Sequence, residues 1–437
     1  MVDGGAAVQP RANAANSNSK DAQIETLQKP RKRNILAVLL ISFGVGIATL
    51  MPTMVALPVV IARLSPENKD VVLGTVLGVQ AFMGMALAPF FGALSDRTTS
   101  RLGMRRPGLI IGGSAIVVGL GVLGFAPNVP TILVGVFLTA TGSALSGASS
   151  FALIPDLFPD RQRGRILGFK TLVGTSAGMA ASIVGPMLLN NQVLLFGAGA
   201  IVLAACYFVA VPLIDDRRLD PAEVTRESLL RTAFSAYAYN PKSAPDFSWV
   251  FASRAIITLG IALGTSFAVY FLTDQLDILP QQLAPLISLN AVLSLAGTAV
   301  GTLVGAVLAD KVASRKLMVL IAACFMAAGA VTAALAPSVP VFFVGTAILT
   351  FSIGLFIPTD GALVMSVLPG GNTHVARFMA IITIADQLPR SIGPLIAPAV
   401  IALGGATAMG GYPVLYISAA AVAIIGGLVV RKVRSVR

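Results

Sequence analysis

The sequence predicts an all-α polytopic membrane protein with twelve transmembrane helices in two six-helix halves. Three observations predict it: a composition too apolar for a water-soluble core, twelve long apolar spans, and basic residues gathered on one set of connections. The 437 residues are 56% hydrophobic and 11% charged, with mean hydropathy +0.85, whereas soluble domains carry roughly 25% charged residues. The 43 glycines fit the same class, because small residues let helix backbones approach closely in lipid.

The elements follow in order. Residues 1–33 are rich in Ala, Asn, Ser and Lys and contain no apolar run; they read as a disordered tail ending in the basic "KPRKR". Twelve apolar spans then run over approximately 34–62, 71–94, 108–126, 130–154, 164–189, 192–213, 249–272, 283–308, 317–335, 340–368, 376–403 and 414–430. Each is long enough for a hydrocarbon core of roughly 30 Å, and without water to satisfy backbone groups each must be helical. Spans within 34–213 form the first half and those within 249–430 the second. Residues 214–248 form a polar linker between them, and 431–437 are a C-terminal tail.

Orientation follows from Lys and Arg, which concentrate on the cytoplasmic side. With the N-terminus inside, 26 of the 31 basic residues are cytoplasmic, two (Arg63 and Lys69) are outside, and Lys170, Arg254 and Arg390 lie within spans. Both termini are expected in the cytoplasm and the chain in the plasma membrane. The net charge of +12 forms no continuous stripe, so it points to membrane topology and not to nucleic acid. Cys206 and Cys324 fall inside apolar spans as small hydrophobes, and His374 lies in a polar connection. No metal or cofactor site is expected.

The halves repeat. "GALSDRTTSR" at Gly92 has a counterpart in "GAVLADKVASRK" at Gly305, Pro159 has one in Pro369, and Gly185–Pro186 matches Gly393–Pro394, all at nearly one offset. A duplicated 6+6 chain is the organisation expected of a transporter that rocks two bundles about a midplane site.

The loop "GALSDRTTSRLGMRRP" resembles the signature between helices two and three of the major facilitator superfamily, and "GAVLADKVASRK" its weaker repeat. Thr99 and Ser100 depart from the commonest form of that signature. The variant, with "ALIPDLFPDRQRGR" after span four, is similar to the branch of sucrose transporters and glycoside–cation symporters. Gly185–Pro186 is followed by Met187, Leu188 and Leu189, which departs from the helix-five motif of drug antiporters. The resemblance implies a monomeric secondary transporter, not an enzyme, that moves a small organic solute by alternating access, coupled to protons. A sugar-like solute is the favoured expectation. Drug or lipophile efflux and lipid transport on the same fold are the alternatives.

Two groups of residues are singled out. Gly92, Asp96, Arg97, Arg101, Arg105 and Arg106, with the echo Asp310, Lys311 and Arg315, are expected to form a conformational latch. In it Gly92 supplies a close packing surface, and Asp96 accepts hydrogen bonds from a neighbouring helix N-terminus or pairs with an arginine. Charges at membrane depth are expensive and mark function. Asp386 and Arg390 stand four apart in "DQLPRSIGP" and can pair, and Pro389 between them is expected to interrupt the helix there. Asp360 lies beside a proline in span ten, and Arg254 about 12 Å into span seven. These four are the expected substrate and coupling-ion residues, with the amides Asn290 and Gln80 as further cavity candidates. Lys170 is expected to snorkel to the interface.

Overall fold

A computed structural model describes residues 32–216, 244–312, 314–368 and 375–434. The described chain is nearly all helix, and twelve helices are long and apolar enough to cross a membrane. They are α1 (Lys32–Leu64), α2 (Lys69–Ser95), α3 (Arg106–Gly124), α4 (Val129–Leu157), α5 (Asp160–Met187) and α6 (Gln192–Leu213). The second set is α7 (Pro245–Ser266), α8 (Pro280–Lys311), α9 (Arg315–Ala334), α10 (Val339–Ser366), α11 (Val375–Gly405) and α12 (Gly411–Val429). Several ends are set locally. Asn128, Asn191 and Ser314 cap α4, α6 and α9 by accepting a backbone N–H two or three residues into the helix, and Pro at the first turn costs no hydrogen bond.

Packing reproduces the repeat read in the sequence. In the first six helices α1 packs on α5 and α6, α2 on α4, and α3 on α4 and α6. In the second six α7 packs on α11 and α12, α8 on α10, and α9 on α10 and α12. Each of these contacts in one group therefore has its counterpart in the other, whereas α11 also packs on α12 with no equivalent packing between α5 and α6 among the described residues. The groups meet through α2 on α11 and α5 on α8, a pair of contacts that the same repeat interchanges.

Glycines set the closest approaches. A Cβ on Gly112 of α3 would lie 2.8 Å from the carbonyl oxygen of Gly142 on α4, and one on Gly119 would lie 2.9 Å from that of Gly135. Their equivalents 210 positions on, Gly329 and Gly345, bring α9 against α10 in the same way. These contacts replace the hydrophobic drive that lipid does not supply between helices. Between the groups, Gly74 and Gly78 of α2 receive Pro394, Leu395 and Pro398 of α11, and Ser391 Oγ donates to the Gly78 carbonyl at 2.9 Å.

Three expectations are corrected. "DQLPRSIGP" does not interrupt its helix: α11 runs through Pro389, Pro394 and Pro398, since a carbonyl freed by proline can be re-satisfied by neighbours in a bundle. Span seven instead breaks at Phe267 and ends in a π turn over Phe271–Gln275. Cys324 is exposed on the outer surface and not buried, while Cys206 is partly buried. His374 lies outside the described residues.

Candidate functional site

The helix ends divide into a basic end, where the connections rich in Lys and Arg lie, and an opposite end. Among the described residues, four polar contacts join the two groups of helices away from the basic end: Lys69 to Asp274, Tyr412 to Asp70, Tyr270 to Pro58 and Ser391 to Gly78. The first three, with one bond inside the second group, form one cluster at the opposite end. Lys69 Nζ pairs with Asp274 at 2.5 Å, and Tyr412 Oη lies 3.0 Å from Asp70 Oδ1 and 2.8 Å from Asp274 Oδ2. Tyr270 Oη donates to the Pro58 carbonyl at 2.9 Å. Behind them Phe271 stacks on Phe342 with centroids 4.6 Å apart, and Tyr416 meets both edge-on, which fixes the ends of α7, α10 and α12. This end is closed.

At the basic end the described pairs remain within one group. A Cβ added at Gly84 or Gly92 of α2, or at Gly164, Gly168 or Gly174 of α5, would meet nothing within 4 Å. Gly92 is therefore not the close packing surface expected of it. Its counterpart Gly305 is, with a Cβ position 2.8 Å from Pro358 and 2.9 Å from the Leu355 carbonyl. The described polar contacts between the groups are thus gathered away from the basic end.

The signature loop closes on its own group of helices. Arg105 Nη1 donates to Asp96 Oδ1 at 2.7 Å and to Ser95 Oγ at 3.0 Å, and its Nε donates to Asp156 Oδ2 at 2.8 Å. Burial alone would disfavour the Arg105 charge, but the bonds to Asp156 and Asp96 more than offset it and hold its pKa above the ordinary arginine value. Asp96 thus takes the arginine and not the N-terminus of α11. Asp216 accepts the backbone N–H groups of Arg105 and Arg106, both at 2.7 Å, a carboxylate at the positive end of α3. Gly103 sits at φ +116° with Asp216 where a Cβ would project, so only glycine fits. Arg106 reaches the Ile214 carbonyl at 2.5 Å, while Arg101 is exposed and Arg97 half-buried. In the second group Arg315 donates to the Ala362 carbonyl at 3.0 Å. The side chains of Asp310 and Lys311 lie outside the described residues.

The membrane charges form a chain across three helices. Arg254 of α7 pairs with Asp360 of α10 through Nη1. Its Nη2 lies 3.9 Å from Asp386 Oδ1 on α11, and Arg390 Nε lies 3.5 Å from Asp386 Oδ2. Asp360 is all but sealed, with 2% of its side chain exposed, whereas 28% of Asp386 is accessible. Buried charges need such partners, and two carboxylates between two guanidiniums leave this wall neutral. The sequence signals that located these residues, depth and i,i+4 spacing, apply to helices one at a time. Across helices, Arg254 is the residue that joins Asp360 to Asp386.

Gln80 and Asn290, 210 positions apart in sequence, are not part of that chain. Gln80 Nε2 donates to Thr53 Oγ1 at 3.1 Å, where α1 turns through the π segment Pro52–Ala56. Thr346 Oγ1 donates to Asn290 Oδ1 at 2.8 Å and ties α8 to α10. Lys170 does not snorkel. Its Nζ donates to Ser150 Oγ at 3.0 Å and stands 3.8 Å from the Phe151 ring centroid. The residues of the closed end, Asp70, Asp274, Tyr270 and Tyr412, had no sequence signal beyond being polar near helix ends.

The sequence model described as Major Facilitator Superfamily matches residues 36–283 and 250–437. The chain belongs to the major facilitator superfamily. Among curated relatives it is similar to the multidrug resistance protein MdtG of Proteus mirabilis, 29% identical over 201 residues, 43% of this chain and 47% of that one. It is also similar to MdtH of Aeromonas salmonicida, 26% identical over 146 residues, 32% and 35% of the two chains. The chain thus spans between a third and a half of the length of these relatives. Among solved structures, a bacterial homolog of the human lysosomal transporter Spinster, in an inward-facing unoccupied conformation, aligns with TM-score 0.66 at 17% identity, over 93% of this chain and 99% of that one. That likeness shows the superfamily fold over almost the whole chain.

Proposed function

We propose that the chain is a secondary active transporter that moves a small organic solute by alternating access and couples the movement to protons. The basic end is read as cytoplasmic and the membrane as the plasma membrane, so the arrangement is inward-open. The two six-helix groups act as the rocking units, with the signature loop as latch. In the inward-open state Asp96 and Arg105 are satisfied within their own group, and Gly92 is free to receive a helix when the basic end closes.

The observation that carries proton coupling is the position of Asp386. It lies 3.9 Å from one guanidinium and 3.5 Å from another, beyond firm hydrogen-bond distance, and 28% of its side chain is accessible. A carboxylate held this loosely can exchange a partner for a proton, because losing an opposite charge favours the neutral form. Asp360, sealed and bonded to Arg254, serves as the fixed partner that keeps Arg254 in place.

For the solute, a small amphipathic compound is the reading favoured here. The relatives MdtG and MdtH carry multidrug-resistance names, and Ile41, Val45, Phe151 and Leu167 line a cavity between α1, α4 and α5. A sugar-like solute is the second reading, favoured by the signature loop "SDRTTSRLGMRRP". Trp249 lends it no aromatic platform, since its ring lies under Lys432 Nζ at 4.3 Å near a helix end. The test is uptake into proteoliposomes of a panel of sugars and amphipathic dyes, with and without a proton gradient. Asp386→Asn is expected to abolish gradient-driven accumulation and to retain solute exchange. Accumulation that survives in the variant refutes the coupling role.

A further inference from the structure

Lys170 is a charge at membrane depth for which the coupling scheme has no use. It lies ten residues into α5, about 15 Å along the helix. Its hydrogen-bond acceptor is a neutral hydroxyl, Ser150, and its other close neighbour is a ring, Phe151. Among the described residues no carboxylate forms an ion pair with it. It lines a cavity of about 300 Å³ between α1, α4 and α5, whose other walls include Ser42, Val45, Leu167 and Thr171. That volume is at the lower end of the range for small-molecule pockets.

The repeat says where this cavity stands. Helices α1, α4 and α5 are the counterparts of α7, α10 and α11, the three that carry Arg254, Asp360, Asp386 and Arg390. The hydroxyl that holds Lys170 is at the position equivalent to Asp360, since 360 − 150 = 210, the offset that relates Pro159 to Pro369. One wall of the site therefore holds two positive and two negative charges and is neutral. The other holds one positive charge and no negative one. An unpaired cation in this setting is costly, and an anion arriving with the solute removes that cost.

We propose that the Lys170 cavity binds the carboxylate of the transported solute, with Lys170 Nζ and the Ser150 hydroxyl on the carboxylate and the apolar body against Val45 and Leu167. The substrate class is then a small amphipathic carboxylic acid in its ionised form. The proposal rests on the transporter reading above and makes it narrower. Thr171 and Ser42 do not compete for the ligand charge, because each hydroxyl donates to a carbonyl of its own helix.

The experiment uses the full chain in lipid nanodiscs and two radiolabelled probes of nearly one shape, 1-naphthaleneacetate and its neutral amide. The wild type is expected to bind the acid about tenfold more tightly than the amide, the preference one charge-assisted hydrogen bond supplies. Lys170→Met should remove that preference, and Lys170→Arg should keep it. Equal binding of acid and amide by the wild type, binding of neither, or an acid preference that survives Lys170→Met overturns the proposal. Since the first comparison needs no variant, poor folding of Lys170→Met leaves the proposal testable. Transport is scored separately. Lys170-dependent acid binding without uptake refutes the transporter reading and keeps the anion site; uptake of neutral solutes that ignores Lys170 does the reverse.

Discussion

The closed end of the bundle is the most direct handle on the conformational cycle. Asp274 accepts from Tyr412 at 2.8 Å and pairs with Lys69 at 2.5 Å, so one carboxylate joins α2 to the far ends of α7 and α12. Asp274→Ala removes both. A hydrogen bond to a charged group contributes about 1.5–3 kcal/mol, and a partly exposed ion pair about 0.2–1 kcal/mol. Lys69 and Asp274 side chains are 21% and 29% exposed, which keeps the ion-pair share small. Tyr412 and Asp274 belong to the same bundle, so only the ion pair to Lys69, about 0.2–1 kcal/mol, is lost by the closed state alone. The closed-to-open ratio at this end should therefore fall by a factor of about 1.4 to 5. Spin labels at Glu67 and Ala406, in a background with Cys206 and Cys324 replaced, read the separation across this end by pulsed electron resonance. The wild type is expected to give one short distance, and Asp274→Ala a second, longer one. Asp274→Asn, which keeps an acceptor for Tyr412 but also loses the ion pair to Lys69, should match Asp274→Ala. A distance distribution unchanged by Asp274→Ala refutes the assignment of this cluster as the closing contact.

Other outcomes follow from the same packing. Arg254→Gln strands the sealed Asp360 and should cost about 3–5 kcal/mol of stability, the usual loss when one partner of a buried pair is removed; scanning fluorimetry should show the double variant with Asp360→Asn recovering much of it. Gly112→Ala places a Cβ 2.7 Å from the Ser146 nitrogen and 2.8 Å from the Gly142 carbonyl, so α3 and α4 must separate, at about 1–3 kcal/mol. Its effect should appear as a lower thermal midpoint with unchanged solute selectivity. Asp216→Ala releases two N–H groups at the start of α3 and should cost about 1–2 kcal/mol, read in the same assay; no loss would show that the linker end does not hold the signature loop.

Much of the fold is legible in the chain because lipid imposes it locally. An apolar run of the right length must be a helix whatever surrounds it, which is why twelve spans read from hydropathy reappear as twelve helices. Depth is legible for the same reason: Asp360, Asp386, Arg254 and Arg390 stand out as charges where charge is costly, and Asp386 and Arg390 are four apart on one helix. Partners across helices are not legible this way. Nothing local distinguishes Asp96 meeting Arg105 from Asp96 meeting α11, and Gly92 looks like Gly305 although only Gly305 is packed.

Helix number, their repeat and the side that carries the basic loops are thus properties of the sequence alone, since each depends on a residue and its neighbours along the chain in a solvent that permits little else. Which end is closed, which carboxylate is sealed and which is loose, and that Lys170 faces a cavity with no counter-charge were decided by the tertiary structure. Those depend on distances between helices hundreds of residues apart, where differences of one or two ångströms separate an ion pair from an open site.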